Sequence, residues 1–247
     1  MKRTETFNIV IPSIEIDNTA GKVEFATHDE AAVVVTIESM QRNTDEVVGD
    51  TKIVAHGNDL RISVPNRTGF KKREVLVRIA MPTASAVKVS TVSADVESQG
   101  SIDSVIIKTV SGDVRLDTVK KLLTLKSVSG DVDIAHSPED ASASTVSGDL
   151  RLNAISGRCS ATSVSGNCFL HAQGSGEITA KTVSGDVTVW VEPNIEIDVS
   201  AKAHSGKLSS EFELDPTLSG AEGPSLIIRA RSVSGDIQIR RASLVAG

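Results

Sequence analysis

The sequence predicts an all-β fold, a single-stranded β-helix or β-solenoid of stacked parallel strands with coils of about 18 residues. A six-residue phrase carries the first reason. It reads TVSGDV at 109–114 and 182–187, SVSGDV at 127–132, TVSGDL at 145–150, SVSGNC at 163–168 and SVSGDI at 232–237, with degenerate copies TVSADV at 91–96 and AHSGKL at 203–208. Its third-position serine falls at Ser93, Ser111, Ser129, Ser147, Ser165, Ser184, Ser205 and Ser234, at gaps of 18, 18, 18, 18, 19, 21 and 29. The second reason is where the apolar pairs fall. Val114/Leu116, Val132/Ile134, Leu150/Leu152 and Val187/Val189 alternate with Val105/Ile107, Leu123/Leu125, Ala141/Ala143 and Cys159/Ala161, nine residues away. Each pair has the period of two of a half-buried strand. The third reason is composition: aromatics are 2% of the chain, so Val, Ile, Leu and Ala must build the core, and the β-branched ones favour strands.

The elements follow in chain order. Residues 1–86 hold strand-like runs KVEFAT, AVVVTIES, TKIVAH, DLRISV and REVLVRIAM, separated by turn signals at Asn18, Gly21, Gly49 and Asn66–Gly69, and no amphipathic helix is expected. This part reads as opening coils or as a separate β cap, which a stack needs because its open end exposes backbone groups. Residues 87–202 are the regular coils. A triangular coil of three hexapeptides would need an aliphatic residue where Ser104, Leu122, Asp140 and Arg158 stand, so each coil is read as a flattened pair of short strands. Residues 203–247 contain a degenerate coil, an insertion at Glu211–Ser225 and a last coil, all within one continuous domain.

In the hexad, glycine tolerates a positive φ and aspartate bonds its own turn, so Gly112–Asp113, Gly130–Asp131, Gly148–Asp149, Gly185–Asp186 and Gly235–Asp236 read as structural corners. Stacking would bring these carboxylates to ~5 Å from one another, a repulsion of ~1 kcal/mol per pair in water. Calcium would relieve it, but one Asp per coil is too few ligands, and Asn167 and Lys207 interrupt the series. No metal or cofactor is expected. The second position is Val in seven of eight copies: Val92, Val110, Val128, Val146, Val164, Val183 and Val233. If the strand runs straight, parity turns them outward as an apolar stripe about 25–30 Å long, a contact surface. If the chain bends first, they are core.

No catalytic residue stands out. The serine context is not G-x-S-x-G, the five histidines are scattered, and no phosphate-binding or dinucleotide fingerprint occurs. The net charge of −6 argues against nucleic acid or an anionic membrane as main partner. Short basic clusters at Lys71–Arg73 and at Arg229, Arg231, Arg240 and Arg241 read as solvated outward positions. No membrane span and no secretory signal is visible, so the default expectation is a cytoplasmic protein with reduced thiols. Cys159 and Cys168 read as buried thiols standing in for valine.

The phrase [ST]-V-S-G-D-[VIL]-x-[LIV], with the ending IIRARSVSGDIQIRRA, resembles the bacterial β-strand-repeat family named for adhesins, a domain of unknown function. The resemblance implies a β-solenoid and brings no catalytic residues. The expected function is therefore a non-enzymatic scaffold or binding module, adhesin-like, whose partner is a protein, a second copy of itself or a glycan. The alternatives are a carbohydrate-active enzyme of the β-helix type and a regulatory or envelope-stress-associated interaction protein.

Overall fold

The computed structural model describes residues 1–41, 45–65, 74–193, 195–212 and 225–242. The basic cluster Lys71–Arg73, the Asn66–Gly69 turn and most of the Glu211–Ser225 insertion lie outside the described residues. The chain forms two compact units, Met1–Asp131 and Val132–Gly247.

In the first unit, β1 (Lys2–Phe7), β2 (Ser13–His28) and β3 (Val33–Ser39) precede a short helix α1 (Asp45–Asp50), followed by β4 (Lys52–His56), β5 (Asp59–Ser63), β6 (Val75–Pro82), β7 (Ala86–Gln99), β8 (Ser101–Lys108) and β9 (Val114–Lys126). The helix departs from the all-strand expectation. At six residues, DEVVGD is too short to show a helical period, and it buries Val47 and Val48. Long strands serve both sheets. The first half of β2 pairs in parallel with β5 and its second half with β6, while β7 pairs along both halves of the other side of β2. β7 continues to β8 and β9 in parallel. Antiparallel strands finish the other end, β3 on β6, β1 on β3 and β4 on β5. Residues 1–86 thus hold both a parallel strand, β2, and antiparallel pairs made by β1, β3 and β4. The core between the two sheets is aliphatic, with Ile14, Ile16, Leu60, Ile62, Val87, Val89, Val105, Ile107, Leu123 and Leu125 buried.

In the second unit, the strands are β10 (Val132–His136), β11 (Asp140–Ser144), β12 (Leu150–Thr162), β13 (Cys168–Ser184), β14 (Val187–Val191), β15 (Glu196–Ala203), β16 (Leu208–Ser210), β17 (Ser225–Ser234) and β18 (Ile237–Arg241). β10, β12, β13, β14, β18 and β16 form one parallel row in that order. β11, β12, β13, β17 and β15 form the other. The order is not the chain order: the coil β17–β18 lies between β13–β14 and β15–β16. The first unit does the same thing, with β2 lying between β5–β6 and β7. The core narrows as the small residues require: Ala141, Ala143, Cys159, Ala161 and Ala180 line one wall and Leu150, Leu152, Leu170, Val187 and Val189 the other, all buried.

Candidate functional site

The SGD corners explain themselves by what each coil offers the next. In the first unit, the N–H of Asp113 donates to Oδ1 of Asp95 (3.0 Å), and that of Asp131 to Oδ1 of Asp113 (3.1 Å). In the second unit, the N–H of Asn167 donates to Asp149 (3.0 Å), Asp186 to Asn167 Oδ1 (2.9 Å), Asp236 to Asp186 (2.8 Å) and Lys207 to Asp236 (2.8 Å). Asp95 and Asp113 in the first unit and Asp149, Asp186 and Asp236 in the second thus form a ladder within each unit, each held by a backbone donor, with Arg115 and Arg151 pairing Asp113 and Asp149 in addition. Buried first-position hydroxyls complete the turn: Thr109 and Ser127 accept the N–H of Gly112 and Gly130 at 3.1 and 3.0 Å.

The corner glycines differ from expectation in their reason. None of Gly112, Gly130, Gly148, Gly166, Gly185, Gly206 or Gly235 has a positive φ, which is found instead at Gly21, Gly57, Gly100, Gly157, Gly176 and Ala154. The corner positions need glycine because coils stack backbone on backbone. A Cβ on Gly130 would stand 2.1 Å from the carbonyl oxygen of Gly112, and one on Gly235 2.1 Å from that of Gly185.

The second-position valines point outward. Val92, Val110 and Val128 in the first unit are 48, 44 and 43% exposed, and Val146, Val164, Val183 and Val233 in the second are 44, 42, 48 and 50% exposed. The residues before them, from Thr91 to Ser232, are buried. Parity therefore holds as far as position 2 and breaks just after it, where Ser111, Ser129, Ser147 and Ser165 are exposed as well and the following glycines are buried, and each unit presents a row of valines along one flank.

Cys159 and Cys168 are free and buried, from opposite walls of the core. Burial pushes both thiols up to about 12, with the neighbouring Cys168 adding to the effect at Cys159 and Asp149 at Cys168. They are neutral core thiols at neutral pH.

Two features escaped the sequence reading. Phe169 and Trp190 are partly exposed on the outer face of the β13–β14 sheet, with ring centroids 6.1 Å apart and planes 23° apart. The Arg151 guanidinium lies 4.9 Å from the Phe169 centroid, and His171 Nε2 is 2.9 Å from Glu192. The second is a row of cations, Lys181, Arg231 and Lys202, in cross-strand register on β13, β17 and β15. The cluster read as Arg229, Arg231, Arg240 and Arg241 is divided: Arg229 and Arg231 lie on β17 and Arg240 and Arg241 on β18. Reading the sequence row by row across the repeats, rather than along the chain, finds both features.

No group of three or more His, Cys, Asp or Glu residues suited to a metal ion occurs among the described residues. Nor is any helix among them long and apolar enough to cross a membrane.

The nearly all-β solenoid agrees with what the family comparison finds. The chain belongs to the family described as Toastrack DUF4097, whose model matches residues 11–241. Among solved structures it is similar to a "putative lipid binding protein" from Parabacteroides distasonis ATCC 8503, at 18% identity and a TM-score of 0.58, covering 98% of this chain and 97% of that one. It is also similar to a "putative adhesin" from Bacteroides fragilis NCTC 9343, at 16% identity and a TM-score of 0.51, again covering 98% and 97%. At these identities the likeness shows the fold. No curated protein matches the sequence.

Proposed function

We propose that this member of the Toastrack DUF4097 family is a non-enzymatic binding module whose contact surface is the valine row of its coils. One observation carries the reading: seven valines, three along a flank of the first unit and four along a flank of the second, are each 42–50% exposed where threonine would have the same shape without the apolar surface. A solvated strand face ordinarily alternates apolar-in with polar-out, and position 2 breaks that rule coil after coil. The described carboxylates of the hexads are engaged by backbone donors, which supports architecture rather than acid–base chemistry at those corners. The two similar structures are described as a "putative adhesin" and a "putative lipid binding protein", both binding roles.

The partner this surface fits is another protein, a second copy of the chain included. The triple variant Val128→Thr, Val146→Thr, Val164→Thr should keep the circular dichroism and thermal midpoint of the parent, because the residues are outside the core. It should lose self-association in light scattering, or partner binding in pull-down with the parent as control. A triple variant that unfolds, or one that associates as the parent does, removes the valine row from this role.

A glycan is favoured at a different place. Phe169 and Trp190 present partly exposed ring faces beside Arg151 and the His171–Glu192 pair, the mix of stacking surface and hydrogen-bonding groups that sugar rings use. Trp190 is the chain's single tryptophan, so its fluorescence reports this face alone. Titration with neutral and acidic oligosaccharides should shift the emission, and Phe169→Ala should abolish the shift. An emission that no oligosaccharide moves ends this second reading.

A further inference from the structure

The outer face of β13, β17 and β15 in the second unit carries an arrangement that neither the repeat nor the valine row explains. Lys181 stands opposite Arg231, and Arg231 opposite Lys202, on adjacent parallel strands. All three are exposed. Strand spacing puts neighbours about 4.8 Å apart at the backbone and makes the row about 9.6 Å long. Like charges placed directly opposite one another on a sheet are destabilising. Three other arginines of this unit have acidic partners, Arg151 with Asp149 at 3.3 Å, Arg158 with Asp140 at 3.6 Å, and Arg229 with Glu177, whereas Lys207 and Arg240 stand singly without one among the described residues. Lys181, Arg231 and Lys202 have none among the described residues. Thr179 and Arg229, two residues before Lys181 and Arg231 on the same face, join them to line a groove of about 190 Å³.

We propose that this row is an oxyanion site that takes phosphoryl groups, one between each pair of neighbouring strands. A phosphate between Lys181 and Arg231 replaces their mutual repulsion by two charge-assisted hydrogen bonds, with the Arg231 fork offering bidentate geometry and the Thr179 hydroxyl a neutral donor. A second phosphate between Arg231 and Lys202 fits the length of the row, so a diphosphate or two adjacent phosphorylated headgroups match it better than a single monoanion. The net charge of −6 does not oppose this locally, because exposed charges more than about 8–10 Å away are screened at physiological salt. Val183 and Val233 lie two residues beyond Lys181 and Arg231 on the same flank, so the apolar part of a phosphorylated lipid would find the valine row next to its headgroup. The site does not depend on that row being a contact surface.

The test uses the full chain with two probes. Inorganic pyrophosphate is titrated by calorimetry, and phosphatidylcholine vesicles with and without phosphatidic acid are tested by co-sedimentation. The charge-reversed variant Lys181→Glu, Arg231→Glu is compared with Lys207→Glu, Arg240→Glu, which changes the net charge of the same unit equally but leaves the row intact. All four residues are exposed, and thermal midpoints confirm folding. The parent should bind pyrophosphate in a salt-sensitive manner, and the row variant should bind at least tenfold more weakly while the control variant does not. Binding to phosphatidic acid vesicles without pyrophosphate binding, lost in the same variant, identifies the lipid headgroup as the source of the phosphate. Binding of neither probe, or equal weakening in both variants, overturns the proposal.

Discussion

Aspartate at the fifth hexad position accepts a hydrogen bond from the backbone of the following coil, and the exceptions follow from that role. Asn167 keeps a side-chain oxygen in the place of the carboxylate and so continues the ladder, receiving the N–H of Asp186 at 2.9 Å. Lys207 gives its own N–H to Asp236, and among the described residues no strand pairs on the far side of β16, so a residue with no acceptor suffices. The substitutions that look like decay in the sequence are therefore a tolerated variant and an end. Asp113→Asn should be close to neutral in thermal or denaturant unfolding. Asp113→Ala should cost about 1.5–3 kcal/mol, the range for one hydrogen bond to a charged acceptor. If the two variants lose the same amount, the carboxylate's charge matters and the hydrogen bond does not. The reason for glycine in the same corner was not legible. Sequence reasoning supplies a familiar motive, positive φ, whereas the structure shows an ordinary φ and a stacked carbonyl where a Cβ would be.

At the scale of the element, the coil was legible because a solenoid asks the same question of every turn. The inward pairs, the outward charges and the corner recur at fixed offsets, and the two-strand reading follows from their spacing of nine. The facing of the valines was not, because parity is preserved or lost depending on whether the chain bends before position 2. The cation row was missed for a different reason. Lys202 comes before Arg231 in the chain, yet Arg231 is the middle of the row, so no sequential scan places the three in contact. The pairing of β15 and β16 yields a prediction at this scale. β15 pairs with β17, and β16 with β18, and neither pairs with β13 or β14. Deleting residues 225–247 should therefore abolish hydrogen-exchange protection in 196–210 as well, two coils lost for one removed. Retained protection in 196–210 would show that β15–β16 can dock on the preceding coil unaided.

For the whole molecule, charge is sorted by place more than by amount. The ladder gathers carboxylates at the corners, ion pairs tie the sheet faces, as Lys88 does with Glu15 at 2.6 Å, and three cations without acidic partners among the described residues fall in one cross-strand row. The lysine hydrogen bond at Glu15, opposed by burial, holds that carboxyl below its ordinary value of 4.5. A group depressed in the folded state contributes its full stabilisation above the unfolded value and loses it as pH falls through the folded one. A net charge alone conveys none of this sorting.

Both units also place an outlying stretch of chain inside a sheet: β2 has neighbours on both sides, and so do β17 and β18. Under a pulling force, an edge strand unzips one hydrogen bond at a time. A strand bonded on both flanks must instead be sheared from two partners at once. Force applied through residue 242 meets this geometry first, so the second unit resists being unravelled from that side: β18 must leave β14 and β16 together.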